Sequence, residues 1–203
     1  MSILRTVTLN QGATVLMTLE ARDNDASVDT PTRNFDPVQP PGSTIQGAFG
    51  TGIHQVGVLE RDFAICNMTG FASAFHAKAA LERALISATS IRTSGWELPL
   101  AAPIGITEWQ HLLVGLRVRL RLVPSSAFWR YLTGTKTGTG SQSGVGVTGS
   151  GFASTDVGRV LVWGNGLEGQ IVYYNSGTSV ELDVEQEVST TTFTVYDAVT
   201  GIL

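Results

Sequence analysis

The sequence predicts a mainly β fold with one packed α-helix, followed by a small all-β C-terminal domain, and three observations lead there. Leu116, Val118, Leu120 and Leu122 alternate with Arg117, Arg119 and Arg121, the period-two pattern of a strand with one face in a core. Residues 71–89, FASAFHAKAALERALISAT, are rich in Ala and Leu and free of Gly and Pro, as a helix requires. Residues 134–151, GTKTGTGSQSGVGVTGSG, hold only Gly, Ser, Thr, Val, Gln and one Lys, and beyond them the chain reads as strand and turn alone.

A tract so poor in apolar bulk is expected to stay out of any core. It therefore reads as a flexible linker between a body, residues 1–133, and a small β module, residues 152–203. The chain has 203 residues, of which 42% are hydrophobic, enough to fill a core in one or two domains. Its net charge of −4 gives no broad attraction to nucleic acid or to an anionic membrane surface. No apolar run reaches the length of a membrane span, and MSILRTVTLNQG lacks the apolar core of a secretory signal. The single Cys66, in the run FAIC, is expected to act as a small buried hydrophobe.

Along the body, Thr6 to Leu9 and Thr14 to Leu19 flank Asn10-Gln11-Gly12, which predicts a hairpin. Residues 22–52 are dense in Asp, Pro, Thr and Gly and show no sustained period, so they are expected to form a long surface excursion able to reach a neighbouring subunit. Val56 to Met68 resumes as strand. On the helix that follows, at about 100° per residue, Phe71, Ala74, Leu81 and Leu85 share one side with Phe75 and Ile86 beside them, and His76, Arg83 and Ser87 fall on the other. Trp96 to Leu100 predicts a short strand, then a turn at Pro103-Ile104-Gly105, and then the alternating strand. After the linker, Val160–Trp163, Gln170–Tyr174, Val180–Val188 and Phe193–Tyr196 predict four strands of a small sandwich or partial barrel.

The stripe of Arg117, Arg119 and Arg121 has two readings. One is a solvated sheet face. The other is a subunit interface at which guanidinium forks meet carboxylates, with Asp23, Asp25 and Asp29, or Asp183, Glu185 and Glu187, as partners. Trp163, Tyr173 and Tyr174 offer rings on which a sugar could stack, or else fill the core of the small module.

Several motifs fail on their context. Residues 144–149 match G-x-G-x-x-G but open no helix. Asp23, Asp25, Ser27 and Asp29 resemble the start of a calcium loop, yet Val28 stands where Gly is needed and Asn34 where a bidentate Glu should be. His54, His76 and His111 lack zinc-site spacing, and no nucleophile elbow occurs. The sequence thus predicts no catalytic residue, no metal and no cofactor, and a chain that is not an enzyme.

Two stretches carry a family resemblance. Phe63-Ala-Ile-Cys, the helix, Gly115-Leu-Arg-Val-Arg-Leu-Arg-Leu-Val123 and Pro124-Ser-Ser-Ala-Phe128-Trp129-Arg130 together resemble the body of siphophage distal tail proteins. Phe152-x-x-x-Asp156-Val157-Gly158-Arg159-x-Leu161, with the strand and Ser-Gly-Thr turn after it, is similar to a small β module of phage tail and fibre proteins. The resemblance implies a split-barrel-like body with a packed helix, closing as a hexameric ring between the tail tube protein and the tail-tip hub of a baseplate. It implies a structural virion protein made in the cytoplasm of a host bacterium. A fibre or host-surface glycan would be a partner of the terminal module, and no membrane or sequence-specific nucleic acid would be. The alternatives are another tail subunit, of the tube or its terminator, and a carbohydrate-binding adhesion module.

Overall fold

The computed structural model describes residues 4–22, 59–101, 105–112 and 115–199. They form two compact units, the first holding the described residues up to Trp129 together with Val199, the second holding Arg130–Ala198. The calcium-like carboxylates and the excursion beyond Arg22 lie outside the described residues, as does His54.

In the first unit, β1 (Leu4–Gln11) and β2 (Thr14–Arg22) form the expected hairpin, with Gln11 opposite Thr14 and Gly12 at φ +55. The chain continues as β3 (Leu59–Ile65), α1 (Ala74–Ser87), β4 (Ser90–Thr93), β5 (Trp96–Pro99), β6 (Gly105–Leu112) and β7 (Gly115–Leu122). These strands pair in the order β5-β4-β1-β2-β3-β7-β6, every described pair antiparallel. Strand β6 was not anticipated, because GITEWQHL has no clean alternation.

The alternation in β7 does what it predicts: Leu116, Val118, Leu120 and Leu122 are fully buried. They meet Phe63 and Ile65, and α1 closes over that face with Ala77, Leu81 and Leu85. Removing such apolar area from water is the main stabilising term. The helix is shorter than its composition suggests because Ser73 caps it, its Oγ accepting from the His76 amide at 3.4 Å. Phe71 precedes the helix and packs against the core. Phe75 and Ile86 correct the helical projection: they stand away from the buried face, 69% and 81% exposed.

The second unit overturns the expected linker. After β8 (Trp129–Tyr131), which crosses the boundary between units, come β9 (Lys136–Ser143) and β10 (Gly146–Thr148), both inside the supposed connector. With β11 (Val160–Trp163), β12 (Glu168–Ser176), β13 (Ser179–Leu182) and β14 (Val188–Tyr196), they make a closed six-stranded barrel, ordered β10-β13-β12-β11-β14-β9. The two-residue β15 (Ala198–Val199) ends the described chain. Closure removes exposed strand edges. The expected strand from Val180 to Val188 is in fact broken, with β13 ending at Leu182 and β14 beginning at Val188 opposite Gln142.

Glycine is what the tract supplies. A Cβ at Gly138 would lie 2.5 Å from the Phe193 ring, and one at Gly140 would lie 2.4 Å from the Thr148 carbonyl oxygen. The strand therefore passes close over a large ring because it has no side chains there. Phe193 stacks on Phe152 at 5.2 Å and meets Trp163 edge-on at 5.7 Å, so the aromatics fill the volume that the glycines leave.

Gln142, also in the tract, is buried and fully engaged. Its Oε1 accepts from Trp163 Nε1 at 3.1 Å and from Gln186 Nε2 at 2.9 Å, and its Nε2 donates to the carbonyls of Gly144 and Val184, both at 2.9 Å. Gln142→Leu strands these buried groups, and urea unfolding should show a loss of about 1.5 kcal/mol.

Candidate assembly surface

Strand register assembles the charged face of the first unit. Asp62 on β3 lies directly opposite Arg119 on β7, and Arg117 is two residues further along the same face. The Asp62 carboxylate accepts from Arg119 Nε at 2.9 Å and Nη2 at 3.2 Å, and from Arg117 Nη2 at 2.7 Å. Glu108 on β6 adds a contact to Arg119 at 3.4 Å. The Arg119 hydrogen bond holds the Asp62 carboxyl below its ordinary value; partial burial opposes this, and Arg117 reinforces it.

Arg117 and Arg119 thus find their carboxylate within the chain, on the neighbouring strand. Of the acidic residues expected as partners, Asp183 accepts from the Gln170 amide, and Glu187 from the Gly144 amide and the Ser143 hydroxyl, contacts made within the barrel. Arg121 is exposed, faces Glu60 in the register and makes no ion pair with a described residue. Three arginines therefore share the face with Glu60, Asp62 and Glu108, and the stripe is balanced rather than basic.

Asp62→Asn leaves two guanidinium groups with a weaker acceptor. Because the pairs are partly solvated, thermal unfolding should register about 1 kcal/mol. The carboxyl titrates below its ordinary value in the folded state, so this contribution is present above that value and is lost as pH falls through the folded-state value.

A groove of about 550 Å³ runs beside these residues, lined by Asp62, Glu108, Trp109, Gln110, Arg117 and Arg119. Its outer wall is β6, which among the described strands has a neighbour on one side only. Six of its eight residues are exposed. Trp109 on the same strand is 42% exposed and meets the Phe75 ring edge-on at 5.6 Å, with Lys78 Nζ 5.6 Å from its centroid. Register sets Trp109 opposite buried Val118, on the face that the helix covers, and Glu108 and Gln110 opposite Arg119 and Arg117, so the edge strand carries the aromatic pair on one face and the charged groove on the other. The sequence marks the arginines but not Asp62 and Glu108 as their partners or Trp109 as their neighbour, because that proximity depends on pairing across strands distant in sequence.

The three ring candidates separate. Trp163 is 2% exposed and sits in the barrel core, unable to stack on a sugar. Tyr174 packs partly buried against that core, and Tyr173 alone is open, at 58% exposure. Cys66 is exposed rather than buried, because it lies past the end of β3. Among the described residues no three His, Cys, Asp or Glu side chains converge as a metal cage, and no helix is long and apolar enough to cross a membrane. Comparison with protein-family models, with curated proteins and with solved structures gave no match.

Proposed function

We propose that the chain is a structural subunit of a long-tailed phage virion, a distal tail ring between tail tube and tail-tip hub, acting by assembly rather than by chemistry. In this reading the sheet of the first unit is the split-barrel-like body that builds the ring, and the barrel is the appended module. The observation that carries it is β6. An eight-residue strand that has no neighbour on one side among the described strands presents backbone donors and acceptors that pair when another chain supplies a strand. A head-to-tail contact of this kind closes into a ring when its rotation permits. The resemblance of the body and of the Asp156-Val157-Gly158-Arg159 stretch to tail proteins supplies the assignment to a virion.

A proline scan over Glu108, Trp109, Gln110 and His111, read by mass photometry, tests the role of the edge. Positions whose N–H points outward should lose the oligomer and keep the circular dichroism of the fold. An oligomer that survives proline at every position would rule out β6 as the joint.

A further inference from the structure

The side of α1 that faces away from the core carries a second apolar feature. Phe75, Ala79, Glu82 and Ile86 follow one another at spacings of four, three and four residues, which places them in one stripe along the helix. The core-facing residues Ala74, Ala77, Leu81, Ala84 and Leu85 occupy the opposite side. Phe75 and Ile86, 69% and 81% exposed, stand at the two ends of the stripe, with small Ala79 between them. Lys78 and Glu82 are ion-paired along its flank. A lone exposed apolar side chain is ordinary, but two on one heptad-like seam beside a half-exposed Trp109 make a surface suited to docking.

We infer that this stripe binds the same stripe of a second copy of the chain, with the two helices antiparallel. The sequence is self-complementary in that sense alone. Antiparallel pairing centred between Ala79 and Glu82 sets Phe75 against the partner's Ile86 and Ile86 against the partner's Phe75. It also sets Ala79 against the partner's Glu82, so the smallest residue faces the longest at the centre. On the Lys78 flank, Glu82 comes within one residue of the level of the partner's Lys78, close enough for these two long side chains to reach across, so that the ion pair within each helix extends into a four-membered alternating network about the two-fold axis. Parallel pairing instead stacks Glu82 on the partner's Glu82, which like-charge repulsion disfavours. The helix has 14 residues and spans about 21 Å, so the contact is small and its affinity modest. It is isologous and closes on itself, joining two subunits or two rings back to back, and it does not depend on the ring reading or on pairing at β6.

Sedimentation of the full chain over a concentration series, with Phe75→Glu and Ile86→Glu variants, reads the contact. Each substitution should weaken the two-fold species at least about tenfold, the factor that 1.4 kcal/mol represents. Melting temperature should stay near that of the unsubstituted chain, because both side chains are exposed. Lys78→Glu should weaken it as well, and adding Glu82→Lys should restore it. For register, in a Cys66→Ser background, the double variant Phe75→Cys with Ile86→Cys should form disulfide-linked pairs under mild oxidation, and each single variant should not. Unchanged association in both Glu variants would overturn the inference, and so would linkage of Ile86→Cys alone, which reports parallel helices.

Discussion

Asp156→Ala should destabilise the barrel by about 3 kcal/mol, the lower end of the range for breaking a buried ion pair from one side. The Asp156 side chain is 1% exposed, and its oxygens accept from Lys136 Nζ at 2.7 and 2.9 Å, from the Ala153 amide at 2.8 Å and from Arg159 Nη1 at 3.0 Å. Arg159 continues the network to Asp197 at 2.9 Å and to the Gly134 carbonyl at 2.7 Å. One carboxylate therefore ties β9, the turn before β11 and the approach to β11 together. Removing it leaves Arg159 largely buried, whereas Lys136 at 39% exposure regains water, which keeps the effect at that lower end. Amide exchange of Val160 to Trp163 is the direct readout.

The same carboxylate sets a pH dependence. Burial pushes the Asp156 carboxyl up, and the hydrogen bonds from Lys136, the Ala153 amide and Arg159, with the charge of Lys136, outweigh it and hold the group below its ordinary value. Its contribution is present above the unfolded-state value and disappears as pH falls through the folded-state value. Asp156→Asn should flatten the acid limb of the barrel's stability curve. A limb unchanged by that variant would mean that other carboxylates control it.

Gly140→Val should cost about 3 kcal/mol by overpacking. The new Cβ would lie 2.4 Å from the Thr148 carbonyl oxygen and 3.3 Å from the Phe193 ring, and the first of these is backbone that cannot turn aside. Gly146→Ala is the matched control in the same tract: its nearest neighbour would be the Ser143 carbonyl oxygen at 3.6 Å, an ordinary contact. A large loss in the first with little change in the second would confirm that glycine is a packing requirement of β9. Resistance of Lys136 to trypsin in the folded chain would make the same point, since a flexible connector is cut there readily.

These two positions also explain what the sequence revealed and what it hid. The β7 alternation and the Ala-rich helix were legible because each is a periodic burial pattern within one element. The tract from 134 to 151 was not, because glycine scores as a breaker when its neighbours are unknown, and only Phe193, some 50 residues on, shows what Gly138 and Gly140 make room for. The Asp156-Val157-Gly158-Arg159 stretch was visible as a motif but not as a lock, since Lys136 reaches it from the supposed linker. On the charged face, the arginines are legible from alternation, while their pairing with Asp62 follows only from the β3–β7 register. Phe75 and Ile86 were misplaced for a related reason: a projection groups apolar residues together, and here the core uses the alanines and leucines while two large side chains are left outside.

The central claim is that this chain works by closing into a ring. Negative-stain electron microscopy of the purified full chain, with mass photometry on the same sample, tests it most directly. The account predicts hexameric rings with a central channel, built through the edge of β6; single subunits at every concentration, with proline substitutions in β6 changing nothing, would contradict it.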